Sequence, residues 1–589
     1  MKAILFLIIS TFLFFSCSES SFNNGIIRFE PTKLTEEDKA TLAELLPDLH
    51  KRYDSDMKML TKELTGWNYH TDAESGTFHE VRASFNYAVM LLDHGSKEYQ
   101  NRAFDIIKET ISLQDQDTTS KSCGVWPYYL EEPLATKKAP IDYNWADFNA
   151  VSLLDVWLGH QNTIPENLKP EIKNSLILAA KSIQKRDVKP SYTNICIMGT
   201  YVTYMVSHLF DMPEMKDYAR HRLNNFYNYT LDKGGFTEYN SPTYTIVALD
   251  ELFRMKSHVV EPADKKQIDS LYYIGWETIA RHYHKPSGQW SGPHSRSYST
   301  LVRPSFYSIL NEASNGKIDV GIAEKRNNVK IKHHIPEALL HYFLNPDYPR
   351  TEKDIFEKNE PQRIGTSYLA SDYAISSVNR SSMWNQRRPL LTYWGDVENP
   401  HYLQARLLHD GYDFSSASMF AQQRKNNVLA AINFNTNGGD KHISIGRLQN
   451  GKFRAHDIRL RFELGNCRNA QIELPSNVND SFVVAVEDKQ LFLQLFSSEF
   501  DSYSGYWEKG SDDSNQWVDF VIYSGEEKDF GLSEMQKAVL AFTLHFGGSN
   551  DKILNDEVKY EITDEHLKAQ WRDMSLNITV KPDKEPGNL

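Results

Sequence analysis

Apolar residues recur every three or four positions through the first part of the chain and every second position through the rest, and the change falls near residues 345–365. Phe85, Ala88, Val89 and Leu92, then Ile195, Met198, Val202, Val206 and Leu209, then Ile268, Leu271 and Ile274, each mark one face of an amphipathic helix. Breaks at Pro, Gly, Asn and Asp divide this part into about eleven or twelve helices of about 12 to 22 residues between Thr35 and Phe343. Helices in that number, with no good strands among them, predict an (α/α)6-type toroid over residues 31–350. After a linker at 351–365 the period is two. Ile458, Leu460, Phe462 and Leu464 alternate with Arg459, Arg461 and Glu463; Leu540, Phe542, Leu544 and Phe546 alternate with Ala541, Thr543 and His545; Leu576, Ile578 and Val580 close the series. Turns such as Asn437-Gly438-Gly439-Asp440 and Asn450-Gly451 separate strands with one wet face, which predicts an antiparallel β-sandwich over 366–580. The expected fold class is therefore multidomain, α then β.

The ends read differently from the body. Lys2, the apolar run Ala3–Phe15 and Ser16-Cys17 resemble a bacterial lipoprotein signal, with residues 1–17 as signal peptide and Cys17 as the lipidated residue; an ordinary cleaved signal is the alternative. Residues 18–30 then read as a tether, and the charged, proline-bearing 581–589 as a disordered tail. The expected location is the bacterial cell envelope, on the outer-membrane surface or the periplasmic face, with membrane contact through the lipid alone.

Net charge of −13 leaves no basic stripe for nucleic acid, but a few local Arg and His residues suffice for an anionic glycan. Aromatics at 12% suit sugar-stacking clefts and ordinary cores alike. Apart from Cys17, only Cys123, Cys196 and Cys467 remain, in no zinc-like spacing. Asp410-Gly411 reads as a turn rather than part of a His409/Asp410/Asp413 metal site. The P-loop, dinucleotide glycine fingerprint, HExxH and Gly-x-Ser-x-Gly patterns are all missing, so no metal or cofactor is expected.

Two Gly/Pro-punctuated loops concentrate the polar chemistry: GGFTEYNSPTYT from Gly234 and WSGPHSRSY from Trp290. With HEVRASFNYAVMLLDHG from His79, DYNWADFNAVSLL from Asp142 and SYTNICIMGTYV from Ser191, and with a helical toroid preceding a sandwich, the chain resembles the toroid polysaccharide lyases: chondroitin AC lyase, the heparinase II/III-like enzymes and the oligoalginate lyases. The resemblance spans residues 60–560 and implies an enzyme acting on an acidic polysaccharide or oligosaccharide. Ile195 follows Asn194 where the alginate-lyase-like enzymes pair Asn with His, which leaves the base open.

Cleaving a uronic-acid glycan by β-elimination requires neutralising the carboxylate, removing the C5 proton and protonating the departing C4 oxygen. Asn194 and Arg296 are candidates for the first task and His294 for the second; Tyr298 or Tyr244 would protonate the leaving group, or one tyrosine beside Arg296 would do both proton transfers. Arg82, Trp145, Glu238, Asn240, Trp290 and Arg388, the last beside Arg387, are candidate substrate contacts. Structural alternatives stand beside these: a helix cap for Asn194, core packing for Tyr244 and Trp145, a clamp for Arg296. Two other functions also stay open, a toroid glycoside hydrolase using Asp147 and Glu238 as paired carboxylates, and a non-catalytic glycan-binding lipoprotein.

Overall fold

The computed structural model describes residues 21–66, 71–440, 442, 445, 448, 450–551 and 556–585. Cys17, the signal segment and the last four residues lie outside the described residues.

The helical part is built from α1 (Glu36–Lys51), α2 (Val81–His94), α3 (Lys97–Ser112), α4 (Asn144–His160), α5 (Lys169–Arg186), α6 (Thr193–Leu209), α7 (Pro213–Lys233), α8 (Tyr244–His258), α9 (Pro262–His282) and α10 (Pro304–Ala313). Consecutive helices pair as hairpins, α2 with α3, α4 with α5, α6 with α7 and α8 with α9, and the first member of each pair packs on the next to make the inner wall of a toroid. Inner-wall helices are wrapped on all sides, which explains why every residue of α6 from Thr193 to His208 is buried. The ring is closed by the segment after α10, where Lys332 reaches Asp38 of α1 at 2.7 Å and His333 reaches Asp250 of α8 at 2.8 Å.

Two antiparallel sheets follow. The first runs in the spatial order 506–511, 516–531, 452–465, 400–409, 390–395, 373–378, 363–369 and 350–357; the second runs 380–382, 417–424, 427–434, 538–548, 489–500, 482–486 and 471–472. Leu403, Leu407, Leu460 and Phe462 of the first sheet and Ala430, Ile432, Leu540 and Phe542 of the second share one core. The sandwich is therefore the expected one, with one difference. Ala541, expected on a wet face, is buried with Val539, Leu429, Leu576 and Ile578, because a third sheet of strands 559–562, 566–571 and 574–579 covers the outside of the second.

Three boundary expectations also change. Residues 351–365 are no linker: Arg350–Glu357 and Arg363–Leu369 are paired strands. Glu352 and Asp354 hold Arg281, Asp354 holds His282 at 3.0 Å, and Glu357 holds Lys233 at 2.9 Å, so the toroid's own cations fix this sheet edge. The end of the tether is packed: Ile27 is fully buried and bridges Val259, and Phe29 is buried beside His258. In the tail, Asp583 bridges Asn435.

The candidate active site

The loop 291–299 is a strap between toroid and sandwich, and it builds the site. Asn240, in the left-handed conformation at φ 42°, donates from Nδ2 to the carbonyls of Ser291 and Pro293, both at 2.9 Å, and accepts from the Trp290 indole. Ser241 Oγ donates to the Arg296 carbonyl at 2.6 Å. On the other flank the strap joins the sandwich: His294 and Arg388 exchange backbone hydrogen bonds at 3.2 and 3.0 Å, and Ser297 N–H donates to the Gln386 carbonyl at 2.7 Å. The Gly292 Cα lies so close to the sandwich that a Cβ there would sit 3.0 Å from Ser376 Oγ and 3.1 Å from Leu391.

Held this way, Arg296 becomes the hub of the site. Its Nε donates to Gln386 Oε1 at 2.7 Å, one Nη to Glu238 Oε1 at 3.3 Å and the other to the Tyr244 hydroxyl at 3.0 Å, while its guanidinium carbon lies 4.7 Å from the Tyr244 ring centre and 4.9 Å from that of Trp384. The Tyr244 and Tyr298 hydroxyls are 2.6 Å apart. Burial pushes the Tyr244 phenol well above its ordinary range against the pull of Arg296, so Tyr244 keeps its proton. Tyr298 is the open member of the pair, 52% exposed. Burial works against the Arg296 charge, and Tyr244 and Glu238 outweigh it, holding the pKa above the ordinary value. Burial raises the Glu238 carboxyl to about 7 despite Arg296 and the Asn194 N–H, which it accepts at 3.4 Å.

These groups open on a cleft of about 550 Å³ lined by Arg82, Trp145, Asn194, Tyr244, Arg296 and Tyr298, with Tyr128, Asp142, Tyr192 and His442 among the remaining wall. Asn194 is the second residue of α6 and does not cap it; its Oδ1 is buried without a hydrogen-bond partner. Arg82 lies over the Phe148 ring at 3.8 Å and makes no ion pair among the described residues, and burial draws its pKa down. Trp145 is 6% exposed and meets Tyr128 edge-on at 4.2 Å, so it is a wall of the cleft as well as core.

Several expectations fail here. His294 is 1% exposed and absent from the cleft wall; its Nδ1 lies 2.7 Å from the Asn240 carbonyl and burial drives its pKa down to about 3, so it holds the strap and does not face a substrate. Trp290 is fully buried against Phe306, and Asn240 is likewise sealed in the strap. Arg388 turns its Nη1 to the carbonyls of Asn385 and Arg387 and its Nε to Thr300 Oγ1, which removes it from the rim. Asp147 lies behind α6 next to Arg222, 2% exposed, its carboxyl raised by burial to about 7; it shares no cleft with Glu238, which dissolves the paired-carboxylate arrangement. Asp413 is committed to Arg406 at 2.7 Å and Asp410 to the backbone N–H groups of His456 and Asp457 in strand 452–465. Sequence reasoning missed Gln386, Trp384, Tyr192 and His442. The first three lie in polar-aromatic stretches of the sequence, MWNQRR and SYTN, whereas an isolated histidine between strands carries no signal.

Residues 48–340 match the model of a family described as a domain of unknown function (DUF8769). No curated protein matches. Among solved structures, the chain is similar to a heparan sulfate lyase of Pedobacter heparinus (8% identity over 93% of this chain and 90% of that one, TM-score 0.42), and to heparinase III (10%, 93% and 91%, 0.44). It is similar also to the chondroitin AC lyase of Streptomyces coelicolor A3, solved in complex with chondroitin sulphate (9%, 92% and 85%, 0.47). The likeness is one of layout, a helical part followed by antiparallel sheets.

Proposed function

We propose that the protein is a polysaccharide lyase that cleaves a uronic-acid-containing glycan by β-elimination in the cleft around Arg296. The observation that carries this reading is the relay Arg296–Tyr244–Tyr298, with hydrogen bonds of 3.0 and 2.6 Å, ending on an exposed phenol in an aromatic-walled cleft. Tyr298, as phenolate, takes the C5 proton; the C5–H electron pair forms the C4–C5 double bond as the C4–O bond breaks; the same phenol returns a proton to the departing oxygen. Charge on the Tyr298 oxygen is met by the Tyr244 O–H, itself backed by the Arg296 guanidinium. The substrate carboxylate, whose neutralisation makes C5 acidic, is met by the Asn194 side chain in the first turn of α6 and by Arg82 across the cleft. Trp145 and Tyr128 supply the apolar wall for a sugar ring.

The test is incubation with uronate glycans while following both ultraviolet absorbance and reducing ends. Absorbance from an unsaturated product supports elimination; reducing ends without it support hydrolysis, and binding without either supports a glycan-binding protein. We also propose that Cys17 is lipidated and tethers the enzyme to the cell envelope. Mass spectrometry of the mature N-terminus checks this, and cleavage elsewhere contradicts it.

A further inference from the structure

The cleft continues past Arg296. Towards the sandwich it opens into a second hollow of about 340 Å³, whose wall includes Thr237, Glu238, Arg363, Trp384 and Arg387 and which shares Tyr192, Arg296 and His442 with the cleft. The fixed charges on this wall do not cancel. Glu238 is committed to Arg296 at 3.3 Å and Asp440 to Arg387 at 2.6 Å, whereas Arg363 has no hydrogen bond or ion pair among the described residues.

The cause is visible in the strand pairing. Arg363 stands opposite Glu357, where cross-strand opposite charges ordinarily pair. Glu357 instead accepts from Lys233 Nζ at 2.9 Å and from the Asn359 N–H at 3.0 Å, so its oxygens serve the clasp to the toroid, and it meets Arg363 only through the longer-range attraction of opposite charges. Arg363 is half-buried, its guanidinium 5.8 Å from the Tyr239 ring centre and its Nε sealed from solvent without an acceptor. Thr237 Oγ1 and Trp384 Nε1, on residues of the same wall, also lack partners. Withholding an acceptor from a partly buried guanidinium is unfavourable unless a ligand supplies one. In a chain of net charge −13, an unpaired cation beside the reaction centre marks an anion receptor.

We propose that this hollow is a subsite for a second oxyanionic group of the glycan, a carboxylate or sulfate ester on the sugar next to the one cleaved, with Arg363 as its ligand. The subsite rests on the lyase reading and adds to it a requirement for closely spaced acidic groups.

The experiment uses full-length protein carrying Tyr298→Phe, so that ligands survive, and calorimetric titration with three hexasaccharides: hyaluronan, acidic on alternate sugars; alginate, acidic on every sugar; and chondroitin sulfate, with a sulfate ester between its acids. One or both of the last two should bind about tenfold tighter than hyaluronan. Arg363→Gln should bring that ratio close to one without changing hyaluronan affinity, and Arg363→Lys should restore part of it. Preference for alginate alone assigns a carboxylate, and for chondroitin sulfate alone a sulfate ester. A ratio that survives Arg363→Gln, or an equal loss on all three ligands, overturns the subsite. Unsaturated product from wild-type protein, assayed in parallel, keeps the lyase reading standing in that case, whereas no binding and no product overturns both.

Discussion

Tyr298 and His294 are four residues apart in one strap and have opposite fates. Tyr298 is 52% exposed and its hydroxyl is hydrogen-bonded to that of Tyr244, so Tyr298→Phe removes the proposed proton carrier and almost no packing. Its turnover should fall by about 10²–10⁴-fold with an unchanged melting temperature. His294 is 1% exposed, so His294→Ala should lower stability by about 1–3 kcal/mol in denaturant titrations, with any activity loss following from the strap. The sequence marks both as loop residues of reactive type, and only the fold separates them, because burial beneath the sandwich is a long-range fact that a local Gly-Pro-His pattern does not carry. A pH prediction also belongs at this scale. Asp147 has an ordinary pKa of 3.8 and a folded value of about 7, raised first by burial. A raised folded pKa means that the folded state holds the proton more tightly, so the contribution is fully present below about 3.8 and is lost as pH rises through about 7. Thermal melts of the wild type should lose stability as pH rises from about 3.8 to about 7, and Asp147→Asn should flatten that fall; an unchanged slope contradicts the assignment.

Among elements, α6 shows what periodicity can and cannot deliver. The spacing of Ile195, Met198, Val202 and Val206 announces a helix, but it cannot announce that the opposite face is buried too, which follows from inner-wall position in the toroid. Gly199 allows that packing: a Cβ there would stand 2.6 Å from Asp147 Oδ1, 2.9 Å from Ile183 Cγ2 and 3.2 Å from Arg222 Nη2. Gly199→Ala should cost about 1–3 kcal/mol and, because α6 carries Asn194, raise KM for the glycan; equilibrium unfolding and steady-state kinetics together check it. The strand 350–357 was hidden in sequence for a different reason. Its charged residues Glu352 and Asp354 read as linker, and their partners Arg281 and His282 lie in a distant helix.

For the whole molecule, the α-then-β order and the sandwich core were legible, since both rest on period and turn chemistry. The site was half legible: Glu238, Tyr244, Arg296, Tyr298 and Asn194 do meet, but the sandwich's share in the site, Gln386 and Trp384, depends on how the two domains sit together. Arg296 is aimed from both sides, by Glu238 and Tyr244 of the toroid and by Gln386 of the sandwich at 2.7 Å. Gln386→Ala should lower kcat by on the order of tenfold or more while leaving thermal stability nearly unchanged, because a guanidinium displaced by a fraction of an ångström no longer backs the tyrosine pair. Wild-type kinetics in that variant would mean that the toroid alone sets the geometry.

The central claim is that the tyrosine pair backed by Arg296 eliminates across C4–C5 of a uronate. Its most direct test is the ultraviolet absorbance of products from a panel of uronate glycans, run with wild-type protein and with Tyr298→Phe. An unsaturated product that appears with the wild type and is lost with Tyr298→Phe is the expected result; reducing ends formed without absorbance, or an unsaturated product undiminished by Tyr298→Phe, would contradict it.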